Sequence, residues 1–299
     1  MTIRIGTAEP FSTFLTQGQA LAAVLPSHGA PGPYEVLISP AASIDNANRL
    51  DRGEIDLGFM AANWIGRAKR GENPFAAPID LAMVAPMNLG PLFFVARKDS
   101  GIATFDDLAG TRVCVGPAGS GMTQHAHTIF TALGHTIDRV KPVYLSFADG
   151  AKALAAGEID AQLQCPIPNK VMTDLDAAVP LTIVRFPDAQ LETLLGKVSF
   201  YRRATMRKGA LRALSADLPQ PGVLNVLVCH ARADEGHIAA IANAIRTGAE
   251  DLAKANALFD GLDDLFKAAR AQGPHLLEPD GVALHPGARK AYAAAGIPS

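Results

Sequence analysis

The tetrapeptide Gly-Glu-Ile-Asp occurs twice, at Gly53–Asp56 and at Gly157–Asp160. Each copy follows a helix-like stretch (46–52 and 150–156) and opens an apolar run. The elements upstream repeat at nearly the same spacing. Arg4-Ile5-Gly6-Thr7-Ala8 resembles Cys114-Val115-Gly116-Pro117-Ala118, a strand that runs into a polar loop and then a helix. A duplicated strand–loop–helix–strand unit predicts two α/β lobes of similar layout. Two lobes make a cleft, the default place for a ligand. A chain of 299 residues suits two lobes better than one simple core.

Short apolar runs alternate with helical patterns along the chain, which argues for parallel α/β sheets. Strands are expected at 2–6, 34–38, 55–60, 80–85 and 92–97, the last two separated by a Gly90-Pro91 break. Further strands are expected at 112–116, 140–145, 159–164, 181–186 and 223–229. Helices are expected at 16–25, from an N-cap at Ser43 to about Arg52, at 122–133, and at 237–257 as one long amphipathic helix bearing Ile238, Ile241, Ile245 and Leu252. The predicted division is 1–94 plus 188–299 for lobe one and 95–187 for lobe two.

Composition narrows the function classes. A formal net charge of −2 offers no basic face, so nucleic acid is not an expected partner. No apolar stretch approaches the roughly 18 residues that span a bilayer, so the chain is not expected to cross a membrane. Three widely spaced cysteines (Cys114, Cys165, Cys229) form neither a disulfide framework nor a zinc pattern. His125 and His127 point to different helix faces and make a poor metal pair. Neither a metal nor a cofactor is expected. The first strand follows Met1-Thr2 directly, with no leader pattern. The expected location is periplasmic or otherwise extracytoplasmic if a leader has been removed, and cytoplasmic if Met1 is the native start.

The loop Gly116-Pro117-Ala118-Gly119-Ser120-Gly121 is the leading local site candidate. It joins a strand to a helix N-terminus, where backbone N–H groups and the helix dipole favour an anion such as a carboxylate. Ser120 and Thr123 add hydroxyls. The spacing is neither a Rossmann fingerprint nor a P-loop. A tight strand–helix turn without a ligand is the alternative. The matching first-lobe loop runs from Gly6 to Phe14 and contains Thr7 and Glu9. Glu9 would repel an acid or pair with a cation, or is simply a solvated loop residue. Ser43 is either an N-cap or a ligand contact. Asn63 and Trp64 follow the first Gly-Glu-Ile-Asp strand, and Trp64 either lines the cleft or packs in the core. Gln162, Gln164 and Cys165 follow the second copy, and strand ends are where open α/β sheets bind ligands. Cys165 beside a cleft, with His125 as base, is the one hint of covalent chemistry. An unreactive thiol is the simpler reading.

Taken in order, several motifs resemble one family. They are Ser43-Ile44-Asp45-Asn46 through Asp56-Leu57-Gly58, Asp106-Asp107-Leu108-Ala109-Gly110-Thr111-Arg112-Val113, Val115–Gly121, Gly157–Ala161, and the tail His285-Pro286-Gly287-Ala288-Arg289-Lys290-Ala291-Tyr292 with Gly296. The set is similar to the TAXI family of solute-binding proteins of tripartite (TRAP) transporters, over nearly the whole chain. The resemblance implies a type II periplasmic-binding-protein fold: two α/β lobes, a hinge and a central cleft. It also implies a small carboxylated ligand, organic acid or amino acid, and the membrane subunits of a TRAP transporter as partner. By position the contacts would come from Thr7, Phe14, Ser43 and Asn46, and from Gly119, Ser120, Gly121, Thr123, Gln164 and Cys165. The first loop departs from the family. It carries Ala8-Glu9-Pro10-Phe11, and Phe14-Leu15 stands where paired tyrosines are usual, which changes the pocket's polarity and argues against glutamate. The rival expectation is a cytoplasmic enzyme of decarboxylase or lyase type, or a sensor, acting on a small organic acid.

Overall fold

The computed structural model describes residues 2–10, 12–164, 167–273 and 277–298. The chain divides into two compact units, Met1–Leu89 with Leu224–Ser299, and Gly90–Val223. In chain order the first unit contains β1 (Ile3–Gly6), α1 (Thr13–Val24), β2 (Tyr34–Leu37), α2 (Ser43–Asp51), β3 (Leu57–Ala61) and α3 (Ala62–Arg70). Strand β4 (Leu81–Pro91) carries the chain onward. The second unit contains β5 (Phe93–Arg97), β6 (Arg112–Cys114), α4 (Gly121–Ala132), β7 (Lys141–Val143), α5 (Phe147–Ala156), β8 (Ala161–Gln164), α6 (Lys170–Ala178), β9 (Leu181–Val184), α7 (Asp188–Lys197) and β10 (Tyr201–Met206). Strand β11 (Leu218–His230) carries the chain back, and α8 (Glu235–Thr247), α9 (Ala249–Ala255), α10 (Leu262–Gln272) and α11 (Pro286–Ala294) complete the first unit.

The duplication seen in the sequence recurs in the sheets. In the first unit β1 lies between β2 and β3, parallel to both, and β11 runs antiparallel on the far side of β3. In the second unit β6 lies between β7 and β8, parallel to both, and β5 runs antiparallel on the far side of β8. The early half of β11 pairs with β10, from Tyr201↔Val223 to Met206↔Leu218. Leu57, Phe59 and Met60 of β3 and Ala161 and Leu163 of β8 are fully buried, as central parallel strands covered by helices require.

Each residue of the repeated tetrapeptide has an assignable role. Gly53 and Gly157 end the preceding helices with φ of 69° and 77°, a conformation that a side chain disfavours. Glu54 and Glu158 are exposed, while Ile55 and Ile159 enter the core. The aspartates close two matching clamps. Asp56 accepts the Arg4 backbone N–H at 2.8 Å and the Arg4 Nε and Nη2 at 3.0 and 2.9 Å. Asp160 accepts the Arg112 N–H at 2.7 Å and its Nε and Nη2 at 3.1 and 2.7 Å. Arg4 and Arg112 each donate once more, to the carbonyls of Gly53 and Gly157. The repeat therefore pins the amino-terminal edge of each parallel sheet. That is the edge opposite the strand ends where ligand loops emerge.

Burial alone would raise the Asp56 carboxyl, but the Arg4 bonds outweigh it and hold it below the ordinary aspartate range. The Arg112 side-chain bond does the same for Asp160. A proton is thus bound less readily in the folded state than in the unfolded one. The clamps contribute fully above about pH 4 and weaken as pH falls through the lowered folded values. Asp56→Asn and Asp160→Asn are each expected to cost about 1–2 kcal/mol at pH 7, reduced by partial solvent access. Urea melts should show that loss shrinking below pH 4, and a loss constant down to pH 3 would remove the clamp from the account.

Two expected elements differ from the structure. The break expected at Gly90-Pro91 falls slightly later: β4 runs through Gly90 to Pro91, and Leu92 alone separates it from β5. The helix expected at 237–257 divides into α8 and α9 at Gly248. A Cβ there would sit 2.8 Å from the Ala244 carbonyl oxygen and 2.9 Å from His28, so only glycine fits the bend. The stripe itself is correct, since Ile238, Ile241, Ile245 and Leu252 are all buried.

Candidate functional site

The loops leaving the carboxyl ends of β1 and β3 are tied down by buried side chains. Thr7 donates both its N–H and its hydroxyl to the Leu37 carbonyl, at 2.9 and 2.8 Å, joining the ends of β1 and β2. Asn46 donates Nδ2 to the carbonyls of Thr7 at 2.7 Å and Phe59 at 2.8 Å, joining β1 to β3. Gly6 makes room for this, because a Cβ there would lie 2.4 Å from Asn46 Oδ1. Ser43 is the first helical residue of α2 and not its cap. The cap position is Ala42, and Ser43 Oγ accepts the Ala61 N–H at 3.1 Å. Thr7, Ser43 and Asn46 therefore hold the strand ends in place through backbone groups.

The other expected first-unit residues fall around this edge. Ser12 caps α1 by accepting the Leu15 N–H. Phe14 in its first turn is half-buried against Phe59, with ring centroids 5.5 Å apart. Glu9 is exposed. Asn63 is buried in the first turn of α3, and its Oδ1 has no partner among the described residues. Trp64 packs edge-on against Phe75 at 6.3 Å and carries the Arg67 guanidinium 5.1 Å from its ring centroid. Its indole is thus enclosed by its own helix and the loop that follows.

Three buried amides that sequence reasoning missed stand at the same edge. Gln17 Nε2 and Asn225 Nδ2 both donate to Asn88 Oδ1, at 3.1 and 3.2 Å. Asn225 is paired with Ala61 at the end of β3. Gln17 precedes Gly18, where a Cβ would sit 2.6 Å from Thr7 Cγ2. Gln17 is fully buried, and its Oε1 is unpartnered among the described residues. A signal did exist: Asn88 is the lone amide of β4 and Asn225 interrupts the apolar run 223–229 of β11, and buried polar groups normally have partners.

In the second unit the Gly116–Gly121 loop has the geometry its glycines allow. Gly116 adopts φ 93°, and a Cβ there would lie 2.7 Å from Met122 Cβ. Gly119 adopts φ 74°. Ser120 caps α4, its Oγ accepting the Thr123 N–H at 3.3 Å. Thr123 Oγ1 donates to the Pro117 carbonyl at 2.7 Å. The amides of Gly121 and Met122 begin the helix and have no acceptor within it, so they can receive an anion. At the end of β8, Gln162 Nε2 donates to Phe147 O at 3.0 Å while its Oε1 is unpartnered, as is Gln164 Nε2, among the described residues. His125 Nδ1 lies 3.1 Å from the Tyr201 hydroxyl. Burial pushes this imidazole down to about 4, so it is neutral at pH 7. Cys165 lies outside the described residues, so the structure does not place it beside His125.

Cys114 and Cys229 are free and buried, and burial pushes the Cys229 thiol up to about 12, away from reactivity. Among the described residues no cluster of three or more His, Cys, Asp or Glu could hold a metal. No helix among them is long and apolar enough to cross a membrane. A surface cavity of about 760 Å³ in the second unit, lined by Asp176–Ile183 and Arg212–Leu218, shares no residue with the strand-end set.

Two α/β units, each with a parallel core, an antiparallel flanking strand and polar loops at the strand ends, define a periplasmic-binding-protein fold, as the sequence led one to expect. Solved structures share it. The periplasmic sulfonate-binding protein SsuA of a putative sulfonate ABC transporter from Methylobacillus flagellatus KT is 15% identical over 94% of this chain and 76% of that chain, with a TM-score of 0.54. A structure from work on glutathione import through GshT and the cystine ABC importer TcyBC of Streptococcus mutans is 14% identical over 88% of this chain and 97% of that chain, with a TM-score of 0.54. The periplasmic aliphatic sulphonate binding protein SsuA of Escherichia coli is 18% identical over 98% and 82%, with a TM-score of 0.50. At these identities the likeness is one of fold. The model of the NMT1-like family matches residues 5–296, and the chain belongs to that family.

Proposed function

We propose that this protein is a solute-binding receptor that captures a small carboxylated molecule and delivers it to a membrane transporter. The observation that carries the reading is a family match across residues 5–296 on a chain in which Gln17 and Asn63 of the first unit, and Gln162 and Gln164 of the second, hold buried polar atoms without a partner among the described residues. The carboxylate fits the Gly119–Thr123 segment, where the Gly121 and Met122 amides and the Ser120 hydroxyl can donate and the helix dipole favours negative charge. The similar folds are associated with sulfonates and with glutathione, which are also small anions. The ordered motifs resembling the TAXI family favour TRAP-type membrane subunits as the partner and an extracytoplasmic location.

Differential scanning fluorimetry against organic acids, amino acids and sulfonates tests the reading. A true ligand at a hundred times its dissociation constant adds about 2.7 kcal/mol of apparent stability. Gly119→Pro should remove that shift; because Gly119 adopts φ 74°, which proline cannot reach, the variant's ligand-free melt should also fall, and the ligand shift is read against that lowered baseline. Failure of every acid, at millimolar concentration, to move the melt would end the proposal.

A further inference from the structure

The sheet of the second unit ends in β7 on one side and β9 on the other. β7 is blunted by its own sequence. Lys141 gives its N–H to the Thr111 carbonyl inside the sheet, and the next residue, whose backbone faces outward, is Pro142, with no N–H to offer. β9 has no such device: Leu181-Thr182-Ile183-Val184 contains neither a charge nor a proline. Its register with β5 shows which groups face outward. Lys98 donates its N–H to the Pro180 carbonyl at 2.9 Å, so Pro180 faces β5, and Thr182 and Val184 face it likewise. Arg185 faces the other way, donating its N–H to Ala103 O and accepting the Phe105 N–H, both at 2.9 Å. Leu181 and Ile183 share that outward direction, and their N–H and C=O groups have no partner among the described residues. A sheet edge in this state is a template for another strand.

The cavity of about 760 Å³ lies against the same edge, lined by Leu181, Thr182 and Ile183 together with the 213–218 segment. Leu181 and Ile183 belong to one apolar cluster with Leu211 and Leu214. Backbone groups and apolar side chains are thus offered together, which is what an added strand requires. The charges choose the occupant. Lys98, Arg185 and Arg212 line the cavity, with Asp176 and Asp217. Both acids are committed within the chain: Asp176 accepts the Arg212 N–H at 2.7 Å, and Asp217 accepts Arg207 Nη1 at 3.0 Å and the Lys208 N–H at 2.8 Å. Lys98 and Arg185 are exposed and have no ion-pair partner among the described residues. Pairing with a second copy would set one positive edge against another, whereas an acidic strand neutralises both cations.

We infer that β9 is a docking edge, to which an extended, acidic segment of a partner protein adds as a strand, bonding the outward N–H and C=O groups of Leu181 and Ile183 and setting its carboxylates by Lys98 and Arg185. The site lies wholly within the second unit and stands apart from the receptor reading.

The peptide acetyl-Glu-Val-Glu-Val-Glu-Val-amide tests it, titrated into the intact protein with amide exchange followed by NMR. In the free protein the Leu181 and Ile183 N–H groups are expected to exchange faster than those of Thr182 and Val184, and the peptide is expected to slow the first pair about tenfold or more. Two modified peptides separate strand addition from plain charge attraction, one methylated at its three valine nitrogens and the other at its three glutamate nitrogens. Only one of these donor sets can face β9, so one of the two is expected to bind about tenfold more weakly than the parent, the consequence of losing two or three backbone bonds of ordinary net strength. The counterpart with lysine in place of glutamate is expected to bind about tenfold or more weakly as well. Lys98→Glu combined with Arg185→Glu should reverse that last preference, and the wild-type comparisons decide the matter even if this variant does not fold. Equal affinity for the parent and both methylated peptides, equal affinity for the lysine peptide, or no binding at millimolar peptide overturns the inference. Protection of Leu181 and Ile183 that rises with protein concentration in the absence of peptide also overturns it, and assigns the edge to a second copy of this chain.

Discussion

Asn46→Asp is expected to destabilise the first unit by about 3–5 kcal/mol at pH 7, the range for an uncompensated buried charge. The substitution changes almost no volume, so packing is not what is lost. Asn46 is fully buried, and its Nδ2 donates to two carbonyls, Thr7 O and Phe59 O, that end neighbouring strands. A carboxylate there offers no donor and faces two acceptors at hydrogen-bond distance. The introduced carboxyl is expected to remain protonated to higher pH than in the unfolded chain, because burial and those carbonyls both disfavour its charge. The penalty should therefore grow with pH. At pH 4.5 the neutral acid still donates to one carbonyl, and at pH 7.5 it must ionise or stay protonated against the solution. Urea midpoints should fall further below wild type at the higher pH. A midpoint within error of wild type at both values would mean that Asn46 does not bridge β1 and β3. Ligand binding should suffer as well, since Gln17, Ser43 and Asn63 are positioned by the strand ends that Asn46 joins.

The fold was legible because its strongest sequence signal was also its strongest structural constraint. Gly-Glu-Ile-Asp joins a left-handed glycine, a core isoleucine and a clamp aspartate in four residues, and that combination has few other uses. Its meaning was less legible. Nothing in the sequence links Asp56 to Arg4 or Asp160 to Arg112, since those pairs are made by strand pairing. The tetrapeptide therefore marked two units without disclosing that it lies at the edge remote from the loops. The bend at Gly248 was hidden for a related reason: the apolar stripe continues across it, and periodicity cannot register a neighbour such as His28 that arrives from elsewhere in the chain.

The site was half legible. Strand-end position pointed to Thr7, Ser43, Asn46, Gln162 and Gln164, all of which are buried polar residues. Thr7, Ser43 and Asn46 bond backbone groups at the ends of neighbouring strands and Gln162 bonds the Phe147 carbonyl of α5, partners that only the folded chain reveals. Asn88 and Asn225 escaped because one amide in an apolar run barely disturbs a strand's pattern, and Gln17 escaped because a glutamine in a helix reads as an ordinary helix former. Ser43 resembled a cap because a serine preceding a helix usually is one. Here its hydroxyl is drawn one residue into the helix by the Ala61 N–H.

Phe94→Ala is expected to remove about 3–5 kcal/mol from the second unit, the usual cost of deleting a buried phenylalanine. Phe94 on β5 is fully buried, and its ring centroid lies 6.0 Å from Phe105, 6.4 Å from Phe130 and 6.3 Å from Phe186. Those four rings come from a strand, a turn, helix α4 and the residues following β9, so no single neighbour can move to close the gap. Phe94→Leu keeps most of the volume and should cost less than half as much. The consequence reaches the loop through Phe130, which lies on the same helix as the Ser120 cap. With its buried anchor weakened, α4 should show lower amide-exchange protection than α5, whose buried Ala151 and Leu154 belong to a different cluster on the sheet. A variant that melts lower but keeps full protection along α4 would show that the aromatic cluster supports stability without steadying the loop. Equal melting temperatures for wild type and Phe94→Ala would show that the four rings are not the core they form in this structure.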